Sequence, residues 1–119
     1  MSHLVTIKTE VRDAAAIRAA CTRMKLPAPM EGEVKFFDGA KATGWKVQLP
    51  DWRYPIVCQA SGQVKYDNFN GCWGKQVHLD RFIQGYACEK AKQEARRKGF
   101  PVTEASMPDG SIRLTILAR

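Results

Sequence analysis

The chain has 119 residues, 45% of them apolar and 26% charged, which is enough apolar content for one folded domain and excludes a disordered chain. No run nears the ~18 apolar residues of a spanning helix, and MSHLVTIKTEV lacks the basic start and apolar block of a signal peptide, so a cytoplasmic, membrane-free protein is expected. The net charge of +7 admits nucleic acid, an acidic protein or an anionic membrane surface as partner.

Residues 3–9, HLVTIKT, alternate and are rich in β-branched side chains, predicting a strand with Leu4 and Thr6 on one side and Val5 and Ile7 on the other. RDAAAIRAACTRMK reads as a helix capped by Asp13, with Ile17, Ala20, Cys21 and Met24 in one buried stripe and Arg18, Arg23 and Lys25 outside it. Pro27 and Pro29 end it. EVKFFD is a second strand, GAKATG a turn and WKVQL a third strand. Pro50–Tyr54 turns the chain again. YPIVCQA and QVKYDNF flank Ser61-Gly62 as a hairpin, stopped by Asn70 and Gly71.

A long helix is predicted from Lys75 to Lys98, with Leu79, Phe82, Ile83, Tyr86, Ala87 and Ala91 as its apolar stripe. Gly99 sits at its C′ position and Pro101 prevents continuation. VTEASM and SIRLTILA are the last two strands, joined at Pro108-Asp109-Gly110. The order β-α-β-β-β-β-α-β-β, dominated by hairpins, predicts an α+β two-layer sandwich, mainly antiparallel, with both helices on one face of the sheet. Both ends read β-α-β-β, but no matching residues support a duplication.

Catalytic patterns are weak. His78 and Asp80 are two apart on a helix and do not face each other. Cys88 lies three turns beyond His78, so a catalytic pair would have to come from tertiary folding. Glu31 and Glu33 read as exposed solubilising acids. GAKATG has neither the glycine pattern nor the following helix of a phosphate loop. Cys21, Cys58, Cys72 and Cys88 form no C-x-x-C pair, so free thiols are expected rather than zinc ligands, with a Cys58–Cys72 bridge as the alternative. Met1-Ser2-His3 would chelate copper only with Met1 retained. The expectation is a protein with no catalytic residues, metal or cofactor.

Two surfaces stand out. The helix end EKAKQEARRKGF carries Lys90, Lys92, Arg96, Arg97 and Lys98. Phosphate contact is one reading. The other is a solvated helix end, favoured by the helix dipole and by an i,i+4 pair between Glu94 and Lys98. The aromatics Trp45, Trp52, Tyr54, Tyr66, Phe69 and Trp73 form the second surface. Trp52 and Trp73 fall in predicted loops beside Arg53 and Lys75, the composition of a protein-docking hot spot or a base-stacking platform, against core packing as the plainer reading.

MSHLVTIKTEVRD and QGYACEKAKQEARRKGFPVTEASMPDGSIRLTI together resemble the family of hypothetical chloroplast reading frame 35, through Ser2, His3, Lys8 and Thr9, then Tyr86 and Ala87, Gly99 and Phe100, and residues 109–114. AKATGWKVQLPDWRYPIVCQASG departs from that pattern. The resemblance implies a small protein without established activity, and an accessory or adaptor role beside an AAA-type ATPase. The sequence thus points to a binding module that docks a protein through Trp52, Arg53, Trp73 and Lys75, or alternatively to a nucleic-acid-binding protein using the basic helix end.

Overall fold

The structure is a computed structural model describing residues 4–8 and 10–117. The described residues form β1 (Leu4–Lys8), α1 (Ala14–Arg23), β2 (Met30–Lys35), β3 (Lys41–Val47), β4 (Ile56–Cys58), β5 (Gln63–Asp67), α2 (Gln76–Arg97), β6 (Val102–Ser106) and β7 (Ile112–Ile116). This is an α+β fold in the expected order. Within that class the strands divide. β1 to β5 form one antiparallel sheet in the order β1-β5-β4-β3-β2, while β6 and β7 form a separate two-stranded ribbon. The Met1-Ser2-His3 chelate and Thr9 lie outside the described residues.

α1 starts where expected. Asp13 Oδ1 accepts the N–H of Ala16 at 3.1 Å, satisfying one of the first-turn donors. Tyr86 on α2 holds the same corner: its hydroxyl accepts from the Asp13 N–H at 3.2 Å and donates to the Glu10 carbonyl at 3.0 Å. α2 stops on a complete Schellman motif. Gly99, at φ +75°, donates to Arg96 O, and Phe100 donates to Ala95 O.

Strand parity sorts the core into two. Ile56 and Cys58 join Val47, Val64 and Tyr66 on the helix-covered face, packed with Ile17, Ala20, Leu79, Phe82 and Tyr86. Val57, between them, points the other way and clusters with Val34, Phe36 and Ala42, covered by Tyr54. Burying a Leu or Phe is worth about 1.5–3 kcal/mol, several times a surface ion pair, so Leu79 and Phe82 seat α2 on the sheet.

Three expectations change. β2 and β3 lie further toward the N-terminus than predicted, and GAKATG is mostly strand. Gly32 and Gly44 face each other across the ladder, and a Cβ at Gly44 would stand 2.3 Å from the Cys58 carbonyl oxygen. Gly44 thus allows β3 to lie close against β4, whereas glycine in sequence reads as a breaker. The turn is at residues 36–40, where Phe36 N–H donates to Ala40 O. On α2, Ala87 is exposed, and the buried positions turn toward Gly85, Cys88 and Ala95. Glu94 pairs with Lys90 and Arg97 rather than with Lys98.

Candidate functional site

The loop between β5 and α2, DNFNGCWG, is built around buried Asn68. Its carbonyl accepts N–H groups from Gly71 and Trp73, and its side-chain amide donates to Gly74 O at 3.3 Å. This winding forces Phe69 to φ +47° and Asn70 to +53°. Left-handed backbone at a bulky residue costs on the order of 1–3 kcal/mol, and such strain gathers at functional sites.

The strained loop presents rings. Trp73 stacks on Phe69 (centroids 4.8 Å, planes 25° apart) and meets Phe37 edge-on at 5.3 Å and Tyr54 at 5.9 Å. Arg53 places its guanidinium carbon 4.7 Å from the Trp73 centroid, and its N–H donates to the Trp73 carbonyl at 2.8 Å. Rings from three loops thus converge beside one arginine, and Phe37 is 62% exposed. Tyr54 ties the cluster to the second core through Phe36 at 5.9 Å.

Of the four residues predicted for docking, Arg53 and Trp73 come together here. Trp52 does not join them. It is 4% exposed and belongs to the main core, its ring edge-on to Tyr66 at 5.7 Å and its indole N–H donating to Lys75 O at 3.1 Å. The expectation of an exposed tryptophan at 52 is therefore corrected: a loop position flanked by polar residues is roofed by the β5–α2 loop. Lys75 contributes its carbonyl to that bond and keeps an exposed side chain. Sequence reasoning missed Phe37, which looked like the inner end of a strand. The signal was its place beside Asp38-Gly39, at a turn apex.

The basic helix end is less open than its sequence suggests. Lys90 reaches Asp13 at 2.6 Å and Glu94 at 3.4 Å. Lys92 reaches Glu89 at 3.3 Å and Glu104 at 3.1 Å, and Arg97 reaches Glu94 at 3.2 Å. Arg96 and Lys98 are exposed and make no ion pair among the described residues. Glu104 also pairs with Arg23, which in turn pairs with Glu89 at 3.2 Å. Arg23, Glu89, Lys92 and Glu104 therefore close a ring joining α1, α2 and β6. Arg23, then Lys92, holds the Glu104 carboxyl down to about 2. Hydrogen bonding to Asp13 raises Lys90, and hydrogen bonding to Glu104 raises Lys92.

All four cysteines are free thiols; Cys21, Cys58 and Cys88 are buried and Cys72 is exposed. Burial pushes Cys21 up to about 11 and Cys58 up to about 12, opposite to the shift an activated nucleophile needs. Among the described residues, no group of three His, Cys, Asp or Glu side chains could hold a metal ion, and no helix is long and apolar enough to cross a membrane. Comparison with family models, curated proteins and solved structures finds no match to this chain.

Proposed function

We propose that this chain is a non-enzymatic docking module of the cytoplasm that takes a protein partner on the Phe37–Tyr54–Phe69–Trp73 patch, with Arg53 at its edge. The observation that carries the reading is the convergence of four rings, Phe37 and Phe69 exposed and Tyr54 and Trp73 half-buried, with an exposed arginine at a strained loop. Aromatic and arginine side chains dominate binding energy at protein interfaces, and a rigid cluster loses little entropy on docking. Membership of the family of hypothetical chloroplast reading frame 35, and an AAA-type ATPase as the partner, belong to the same proposal. Phe37→Ala and Arg53→Ala remove exposed groups and leave both cores intact. Immobilised wild-type protein should retain its partner from native lysate, with at least tenfold less retained by the double variant. Equal retention by both proteins would sink the reading.

A second reading, nucleic-acid binding by the end of α2, is supported by Arg96 and Lys98, which are exposed and make no ion pair among the described residues. Lys90, Lys92 and Arg97 would have to leave their carboxylates to take part. Each phosphate-contacting cation adds about 0.9 to the slope of log affinity against log salt. Gel-shift titration at two salt concentrations, with Arg96/Arg97/Lys98→Ala beside the wild type, tests it. Salt-insensitive or absent binding eliminates it.

A further inference from the structure

Among the described residues the β6–β7 ribbon leaves both strand edges without a main-chain partner, and the edge of β7 is the apolar one, since Glu104 sits midway along β6. The ribbon's ladder is pinned at both ends, where Met107 N–H donates to Ser111 O and Leu117 N–H donates to Pro101 O. Hydrogen-bonded pairs alternate along an antiparallel ladder, so Arg113 and Thr115 also bond inward to Ala105 and Thr103. The N–H and C=O groups of Ile112, Leu114 and Ile116 therefore point away from β6. They have no main-chain partner among the described residues.

Those three residues are also the apolar ones, and their order is symmetric. Turning a second β7 antiparallel about Leu114 sets Ile112 against Ile116 and Leu114 against its own copy. Every outward donor then meets an outward acceptor. Arg113 falls opposite Thr115, so no like charges meet. β2, an outer strand of the main sheet, is different: Glu31, Glu33 and Lys35 line it, the kind of charge that keeps edges from pairing.

The side chains beside this edge are underfilled. Ile116 is 43% exposed and Leu117 57%. A cleft of about 300 Å³ lies between α2 and β7, lined by Gln84, Ala87, Cys88, Ile112 and Leu114. Another of about 380 Å³, lined by Ala91, Glu94, Ala95, Lys98, Phe100 and Ile116, continues along the helix. Ala87 and Ala91 carry the apolar period of a buried helix stripe, yet Ala87 is exposed and Ala91 half-buried. A two-stranded ribbon is marginal alone; four strands backed by helices are not.

We propose that two copies of this chain pair through the free edge of β7, antiparallel about a two-fold axis at Leu114, giving a four-stranded sheet backed by both α2 helices. A second copy is the occupant that the symmetric order of Ile112, Leu114 and Ile116 selects, because a foreign strand has no need of that symmetry.

Sedimentation equilibrium of the full chain, run as a concentration series, tests this. Wild-type protein should reach twice the chain mass; chain mass at every concentration overturns the proposal and leaves the edge to a foreign strand. Ile116→Lys, and Leu114→Pro, which removes an outward N–H without touching the inward ladder, should halve the mass with an unchanged circular dichroism spectrum. A dimer that survives both folded variants overturns it. Should Leu114→Pro fail to fold, Leu114→Cys in a Cys72→Ser background decides. Paired residues in this register lie about 5.5 Å apart, within disulfide range. Oxidation should give a covalent pair that the Cys72→Ser parent does not form, and no covalent pair overturns the proposal.

Discussion

The indole N–H of Trp52 donates to the carbonyl of Lys75 at 3.1 Å, binding the loop after β3 to the residue that precedes α2. The ring lies flat against Gly74, where a Cβ would stand 2.4 Å from its atoms. This one contact buries a tryptophan that its neighbours would leave exposed, and it leaves Arg53 and Trp73 to make the surface.

Two identical substitutions should therefore have opposite signs. Gly74→Ala forces a methyl into the Trp52 ring and should destabilise by about 1–3 kcal/mol, the usual cost of overpacking. Gly85→Ala, in the interior of α2, meets only Arg23 Cδ at 3.5 Å and Ala20 Cβ at 4.0 Å, ordinary contact distances. It should stabilise by roughly 0.5–1 kcal/mol through helix propensity. Urea melts of the two variants decide, and equal signs would refute the packing described at one of the two sites.

Tyr86→Phe should destabilise by about 1–3 kcal/mol. The ring stays in the core, but the Asp13 N–H loses its partner and the Glu10 carbonyl keeps only the Arg12 N–H. Urea midpoints measure it, and amide exchange should quicken first at the start of α1.

The Glu104 ring sets an acid sensitivity. Its carboxyl is held at about 2 against an ordinary 4.5, so it binds protons less readily folded than unfolded. Its contribution is complete above 4.5 and is lost as the pH falls from there toward 2. Asp13, lowered by Lys90, acts in the same direction. Urea midpoints between pH 7 and pH 3 should fall, and Glu104→Gln should flatten the part of that fall that belongs to the ribbon. An unchanged pH profile in Glu104→Gln would remove this group as the cause.

Thiol labelling should distinguish one cysteine from three. Cys72 is exposed and should react promptly with an alkylating reagent in the native protein, while Cys21, Cys58 and Cys88 stay unmodified. Mass spectrometry should give one adduct per native chain and four after denaturation. A fast-reacting buried thiol would point to an activated cysteine and against a purely docking role.

How much could be read from the chain depended on the span of each signal. α2 was legible because Leu79, Phe82 and Tyr86 repeat locally and because Gly99 and Pro101 end it within a few residues. Trp52 was not, since its burial rests on Gly74 and Lys75, more than twenty positions away. The helix end looked open for the same reason. Asp13 neutralises Lys90 across 77 positions, and Glu104 meets Arg23 across 81. Glycine misled in the other direction: Gly44, read as the end of a turn in GAKATG, is the place where β3 presses against β4 at Cys58. The aromatic patch was half legible. Arg53 and Trp73 were in view, but Phe37 reaches them only through the turn at residues 36–40.

The left-handed backbone at Phe69 carries a consequence for any attempt to toughen this molecule. Glycine would take φ +47° freely, so a screen for heat resistance should drift toward Phe69→Gly. The winner would lose the ring stacked on Trp73, so each gain in hardiness would be drawn from the aromatic cluster itself.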